Sequence, residues 1–205
     1  MTTIVSSLFI SMDGVAEVDP AWHFPYFDEN LGAAVDEDYR DSDLMLLGRV
    51  TYDSFAGAWP DRESAGGPDA PFAKRLGDTA KLVATRGDHD LGWRNVERTD
   101  DPVARVAELK DAGELGKVLV AGSLSVVRQL IDAELLDELH LYVHPVAARH
   151  GERLFTESDD VRPLKVLRSA VFPTGVIKVD YALAPLPNQD GYDDITDKVP
   201  GADEA

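Results

Sequence analysis

A chain of 205 residues with 44% hydrophobic content is long enough to close one domain around a sizeable core. Its 20 basic against 38 acidic residues, a formal net charge of −18, disfavour nucleic-acid binding, which needs a basic surface to face phosphates. The absence of cysteine excludes disulfides and thiolate chemistry, and no apolar run approaches the roughly 18 residues that cross a bilayer. The opening "MTTIVSSLFISMDG" has neither a basic region nor a long apolar core. The expectation is a cytoplasmic protein with a small-molecule ligand and no nucleic-acid or membrane partner.

The first apolar run, residues 3–10, reads as a buried strand. Asp13 follows it, just before Gly14. It can serve as a turn carboxylate, or as a catalytic group that binds a substrate amine or relays a proton to nitrogen. Trp22, Phe24, Tyr26 and Phe27 then place four aromatics within six residues. They can wall a flat heterocycle, with Asp28 or Glu29 anchoring its polar edge. Alternatively they pack on the core while the acids open the helix expected over 30–40.

Residues 43–47 read as a second strand that runs through Gly48-Arg49-Val50-Thr51 into a helical pattern over 51–55. Gly48 allows close approach of a ligand, and Thr51 suits an N-cap beside the free N–H groups that attract anions. Arg49 adds a forked cationic donor, unless it pairs with one of the many acids. After an expected mobile loop over 64–70 and a helix over 71–77, a strand over 81–85 ends in Thr85-Arg86. A hydroxyl and a guanidinium at one edge suit a ribose 2′-phosphate, or form a plain surface turn. Asp101, Pro102 and Gly113 punctuate a helix over 102–112. A strand over 117–121 passes through Gly122 into a helix over 123–132 that Ser123 is placed to cap, a second candidate anion seat. Three phosphate-compatible strand ends carry more weight than any one of them.

Residues 138–146 alternate polar and apolar, and 164–183 read as two strands around Pro173-Thr174-Gly175. The pattern predicts an α/β fold with a mainly parallel sheet and an antiparallel end. His140, Tyr142 and His144 share one strand face. The two histidines stand roughly 13 Å apart, too far to share a metal, and the face is expected to meet solvent or a partner subunit. Residues 187–205 hold six acids and one lysine, 1 − 6 = −5, and read as an acidic tail outside a domain of residues 1–186, with Tyr192 and Ile195 as candidate docking points.

The segments "LLGRVTYDSF", "VATR" and "VLVAGSLSVVRQLIDAELLDELHLYVHPV", with "GERLF" downstream and "SMDGV" near the start, resemble the dihydrofolate reductase-like superfamily. The resemblance covers residues 3–184 and points to the branch containing the reductase domain of the bifunctional riboflavin-biosynthesis deaminase–reductase. It implies a central, mostly parallel twisted sheet with antiparallel C-terminal strands, flanked by helices, and NADPH as cofactor. By resemblance, Gly48, Arg49 and Thr51 contact cofactor phosphates, Thr85 and Arg86 meet the 2′-phosphate, and Gly122 and Ser123 cradle the pyrophosphate. The implied activity is hydride transfer to a C=N or C=O bond of a small pteridine- or pyrimidine-like substrate, by a stand-alone reductase domain that forms a homodimer through its C-terminal strands. The alternative is a non-catalytic nucleotide- or ligand-binding module. Two departures stand out: Gly122-Ser123 replaces a Gly-Gly pair, and the loop over 148–151 is poorer in glycine than in relatives.

Overall fold

The computed structural model describes residues 1–88, 90–156 and 161–185; the acidic stretch 187–205, with Tyr192 and Ile195, lies outside the described residues. The chain runs β1 (Thr3–Ser11), α1 (Pro20–His23), a 3-10 turn (Phe24–Tyr26), α2 (Glu29–Tyr39), β2 (Leu44–Gly48), α3 (Arg49–Ala56), α4 (Trp59–Ala65) and α5 (Ala70–Asp78). It continues through β3 (Ala80–Ala84), β4 (Val96–Thr99), α6 (Pro102–Ala112), β5 (Lys117–Ala121), α7 (Leu124–Asp132), β6 (Glu138–His144), β7 (Leu164–Val171) and β8 (Ile177–Leu183). The strands form one sheet in the order β4-β3-β2-β5-β1-β6-β8-β7. Every pairing from β4 to β6 is parallel, and β8 pairs antiparallel with β6 and β7. This is the mainly parallel sheet with an antiparallel end that the sequence pattern predicts.

The apolar runs are continuous because both faces of the central strands are buried, and period-two alternation divides each between two cores. On one side Ile4, Leu8, Leu46, Val118 and Val120 pack with Val127, Leu130 and Ile131 of α7 and Val106 of α6. On the other, Val5, Met45, Leu47, Val83 and Leu119 meet Tyr52, Leu76 and Trp93. Each such side chain contributes roughly 1.5–3 kcal/mol. The caps are local: Asp101 accepts from Ala104 N at 3.0 Å to start α6, and Gly113, at φ 64°, ends it.

Besides the short turns over 20–26, two elements escape the sequence pattern. β4 reads Val-Glu-Arg-Thr and lies at the sheet edge, where charge guards against unwanted strand pairing rather than marking a strand. α4 takes in the start of the segment expected to be a loop; it opens on Trp59-Pro60 and closes at Gly66, φ 69°. At the opposite edge, β7 exposes Val166, Leu167 and Val171.

The face carrying His140, Tyr142 and His144 is neither wet nor free for a partner; it is buried inside the chain. α2 covers part of it and places Asp38 over the strands. The Asp38 carboxylate accepts from Ser7 Oγ (2.8 Å), Tyr142 OH (2.7 Å), Lys178 Nζ (2.6 Å) and His140 Nδ1 (3.0 Å). Burial alone would raise its pKa, but the bonds and charges of His140 and Lys178 hold it well below the usual carboxylate range. Burial pushes His140 down, but Asp38 and then Glu138 outweigh it, and its pKa ends above the ordinary value. Asp38 thus ties α2 to β1, β6 and β8. Removing it leaves the buried Lys178 ammonium with Asp180, 3.9 Å away, as its only acidic partner among the described residues, so Asp38→Ala is expected to cost about 3–5 kcal/mol in urea unfolding, and adding Lys178→Met should recover part of that loss.

Candidate active site

β5 pairs with β2, so the two strands deliver Gly48 and Gly122 side by side. Gly122 (φ 78°) and Ser123 (φ 64°) are successive left-handed residues, a conformation that costs a non-glycine roughly 1–2 kcal/mol. The double turn swings Ser123 away from its own helix: Oγ accepts from Gly48 N (2.5 Å) and donates to Thr51 Oγ1 (2.8 Å). Two expectations are corrected here. Ser123 occupies the N-cap position of α7 but makes no side-chain cap, and Thr51 is not a cap because α3 begins two residues earlier, after Gly48. Both hydroxyls instead clamp the two helix starts together. A Cβ on Gly48 would stand 2.8 Å from Ser123 Oγ, and one on Gly122 3.4 Å from Thr51 Cγ2, so the glycines keep the clamp closed.

The first N–H groups of α3 and α7, which no helix can satisfy internally, therefore open together. They open into a cavity of about 1050 Å³, at the upper end of small-molecule sites. It spans four adjacent strands, from Thr85, Arg86 and Gly87 after β3, past the clamp, to Phe9, Ala16, Glu17, Val18 and His23 at β1. The structure brings Gly48, Arg49, Thr51, Thr85, Arg86, Gly122 and Ser123 together on this one wall. Arg49 pairs with Asp53 one turn along its helix, an exposed bond of small energetic weight. Arg86 is exposed and has no acidic partner among the described residues.

Asp13 does not line the cavity. Its carboxylate accepts from Ser11 Oγ (2.6 Å), Ala148 N (2.9 Å) and Arg149 N (2.9 Å), and Arg153 donates to its carbonyl. The Ser11 and Arg149 bonds lower its pKa to about 2. It holds no proton at neutral pH and its oxygens are committed, so the turn reading replaces the proton relay. The loop it anchors manages with little glycine because Arg149 itself turns left-handed (φ 66°) and Gly151 (φ 111°) meets Val15, 2.7 Å from where a Cβ would lie.

Trp22, Phe24, Tyr26, Phe27 and Asp28 are not cavity walls either. Asp28 caps α2 through Leu31 N at 2.8 Å, and Tyr26 packs against Leu31, Tyr142 and Val176. The aromatics enclose two histidines. Ring centroids lie 5.2 Å from Phe24 to His23, 5.4 Å from Phe27 to His23 and 5.1 Å from Trp22 to His144, with Phe9 4.3 Å from His23. His23 Nδ1 meets His144 Nε2 at 3.2 Å, and His144 Nδ1 meets the Tyr142 carbonyl at 3.0 Å. Burial, and secondarily the charge of His144, push His23 down to about 4; burial also lowers His144. The residues at the β1 end that sequence reading missed are Phe9, Glu17, Val18 and His23. The available signal was a histidine embedded in an aromatic run beside a strand that alternates Ser7, Phe9 and Ser11.

The fold and this site define a dihydrofolate reductase-like α/β domain with its ligand cavity across the carboxyl ends of the parallel strands. Residues 2–178 match the RibD C-terminal domain, and the chain belongs to that family. A curated relative, the uncharacterized protein YyaP of Bacillus subtilis (strain 168), is 27% identical over 142 residues, covering 68% of this chain and 73% of that protein. Among solved structures, a putative riboflavin biosynthesis protein from Shewanella sp. PV-4 superposes with a TM-score of 0.65 at 16% identity, over 89% of this chain and 99% of that one. A pyrimidine reductase-like protein from Corynebacterium diphtheriae gives 0.62 at 17%, over 90% and 92%. A Thermotoga maritima diaminohydroxyphosphoribosylaminopyrimidine deaminase/5-amino-6-(5-phosphoribosylamino)uracil reductase gives 0.61 at 14%, over 89% of this chain but 57% of that longer one.

The histidine pair sets a pH dependence. The unfolded chain protonates His23 near the ordinary imidazole value of 6.5, the folded chain only near 4. Between these values the unfolded state binds more protons, so stability falls as pH drops from 6.5 toward 4 and is flat above. The His23 share is about 3 kcal/mol. Urea unfolding at pH 7.0 and 4.5 should show a smaller acid loss in His23→Gln than in the parent.

Proposed function

We propose that this protein is an NADPH-dependent reductase that passes hydride to a C=N or C=O bond of a small pyrimidine- or pteridine-like substrate. The observation that carries the reading is the pair of helix starts clamped by Ser123 at the middle of one long cavity, with a guanidinium that has no acidic partner among the described residues at one end and an apolar aromatic wall at the other. Gly48, Thr51, Gly122 and Ser123 would hold the pyrophosphate on backbone N–H groups, since the two glycines leave backbone surface where a Cβ would collide. Thr85 and Arg86 would take the 2′-phosphate, a dianion suited to a forked donor. Bound NADPH supplies the hydride; the chain supplies binding, orientation and exclusion of water.

The order of the strands supports a cofactor end and a substrate end of the cavity. Phosphate-binding groups fall on β3, β2 and β5, which leaves the β1 end, with Phe9, Val18 and His23, for the substrate. The names of the relatives support a pyrimidine: one is described as pyrimidine reductase-like, and another carries a uracil reductase activity in its title. The same reading carries a cytoplasmic location and a homodimer, for which the exposed Val166, Leu167 and Val171 of the edge strand offer the surface. No helix among the described residues is long and apolar enough to cross a membrane.

NADPH at about one hundred times its dissociation constant should add roughly 2.7 kcal/mol and raise the unfolding temperature by a few degrees. Calorimetry should show Arg86→Ala weakening NADPH about tenfold or more while NADH binding stays within about twofold, consistent with loss of a charge-assisted contact. Gly48→Ala, which displaces Ser123, should weaken both nucleotides alike. No stabilisation by either nucleotide at millimolar concentration would sink the reductase reading.

A further inference from the structure

The aromatic run after β1 encloses His23 and His144, and their hydrogen bonds leave one proton arrangement. The Tyr142 carbonyl has no proton to give, so His144 Nδ1 must be the donor in that contact. Both histidines are buried, at 5% and 0% exposure, and burial favours the neutral ring. A neutral His144 that carries its proton on Nδ1 has a bare Nε2, which must accept from His23 Nδ1. His23 is then also protonated on Nδ1. Its own Nε2 is a bare lone pair with no partner among the described residues, on a ring that lines the cavity. No third ligand joins the two rings among the described residues, so the pair is a relayed hydrogen bond rather than a metal site.

We infer that His23 Nε2 is a fixed hydrogen-bond acceptor that recognises a ring N–H donor on a planar heterocyclic substrate, with the tautomer imposed by His144 and the Tyr142 carbonyl. The inference rests on the reductase reading for placing the substrate at the β1 end. Phe9, tilted at 46° to the His23 ring and 4.3 Å from it, supplies the adjoining flat apolar surface. The aromatic enclosure has a purpose in this arrangement. An unshielded imidazole exchanges tautomers and takes a proton near neutrality, whereas this one keeps a single bare nitrogen toward the ligand. The titratable groups around it are His144 behind and Glu17, whose Oε2 accepts from Glu152 N at 2.9 Å. His23 acts here as a recognition residue; with no proton on Nε2 it is not the donor that completes the reduction. A site with a buried acceptor also rejects an analogue that lacks the matching donor, because the lone pair is then left unpaired.

Two measurements on the full chain test this. In protein labelled with ¹⁵N-histidine, two-bond ¹H–¹⁵N spectra should show His23 and His144 both neutral and protonated on Nδ1, unchanged from pH 5.5 to 8. A His23 that carries its proton on Nε2, or titrates within that window, overturns the assignment. Calorimetry with lumazine, which presents ring N–H groups, and with 1,3-dimethyllumazine, which has none on its dione ring, should show at least tenfold tighter binding of lumazine, with or without NADP⁺. The ratio should collapse toward one in His23→Leu and persist in His23→Gln, which keeps an acceptor. Equal binding of the two compounds, or no lumazine binding at millimolar concentration, overturns the recognised donor. NADPH stabilisation is read separately: its loss removes the reductase reading and leaves the tautomer result standing, whereas its retention with equal binding removes this inference alone.

Discussion

The position of β5 between β1 and β2 is the constraint on which the site depends. A chain that crossed directly from β1 to a neighbouring β2 would leave one helix start at that edge. Inserting β5 between them brings a second helix start against the first, with only Gly48 and Gly122 small enough to let them touch. One serine hydroxyl then satisfies a backbone N–H of one turn and a threonine of the other. The left-handed strain at Ser123 is local, and the surrounding strand pairings hold it in place. The result is a rigid cluster of N–H donors that needs few basic residues, which suits a chain carrying a net charge of −18.

Strand β6 shows how environment, not residue type, decides protonation. His140 and His144 lie four residues apart on one face, both buried, and move in opposite directions. His140 stands among the carboxylates of Asp38, Glu138 and Asp180, whose attraction outweighs the cost of burial. His144 has aromatic rings, a carbonyl and another imidazole around it, so desolvation wins. Similar burial therefore accompanies a raised pKa at one end of the strand and a lowered one at the other.

Much of the fold could be read from the chain because its signals are local. Continuous apolar runs mark strands buried on both faces, and Asp101, Pro102 and Gly113 mark a helix regardless of what surrounds it. The cavity wall that gathers Gly48–Thr51, Thr85–Arg86 and Gly122–Ser123 was legible for the same reason, since each group sits where a strand ends. Roles that depend on distant partners were not. Asp13 is explained by backbone N–H groups of residues 148 and 149, and Thr51 by a hydroxyl 72 positions away. The aromatic run could be read as a ligand wall or as core packing, and the choice was not legible because nothing local reveals that His144 lies against it. β4 escaped because an edge strand is selected for charge rather than for burial.

The bond from Ser7 to Asp38 has a consequence for how any ligand lies in the cavity. Ser7 lines the cavity near the β1 end, and its hydroxyl proton is already given to an ionised carboxylate behind the sheet. What it turns toward the cavity is lone pairs, as His23 does. At the far end the backbone N–H groups and the Arg86 guanidinium can only donate, beside the Thr85 hydroxyl and the Asp100 carboxylate that also line it. The cavity is thus biased along its length, with the cationic and N–H donors gathered toward one pole and the lone pairs of Ser7 and His23 at the other. A ligand with an anionic end and a proton-bearing ring meets complementary groups in one orientation and like groups at both poles when reversed. Polarity of this kind selects the sense of entry without any steric gate.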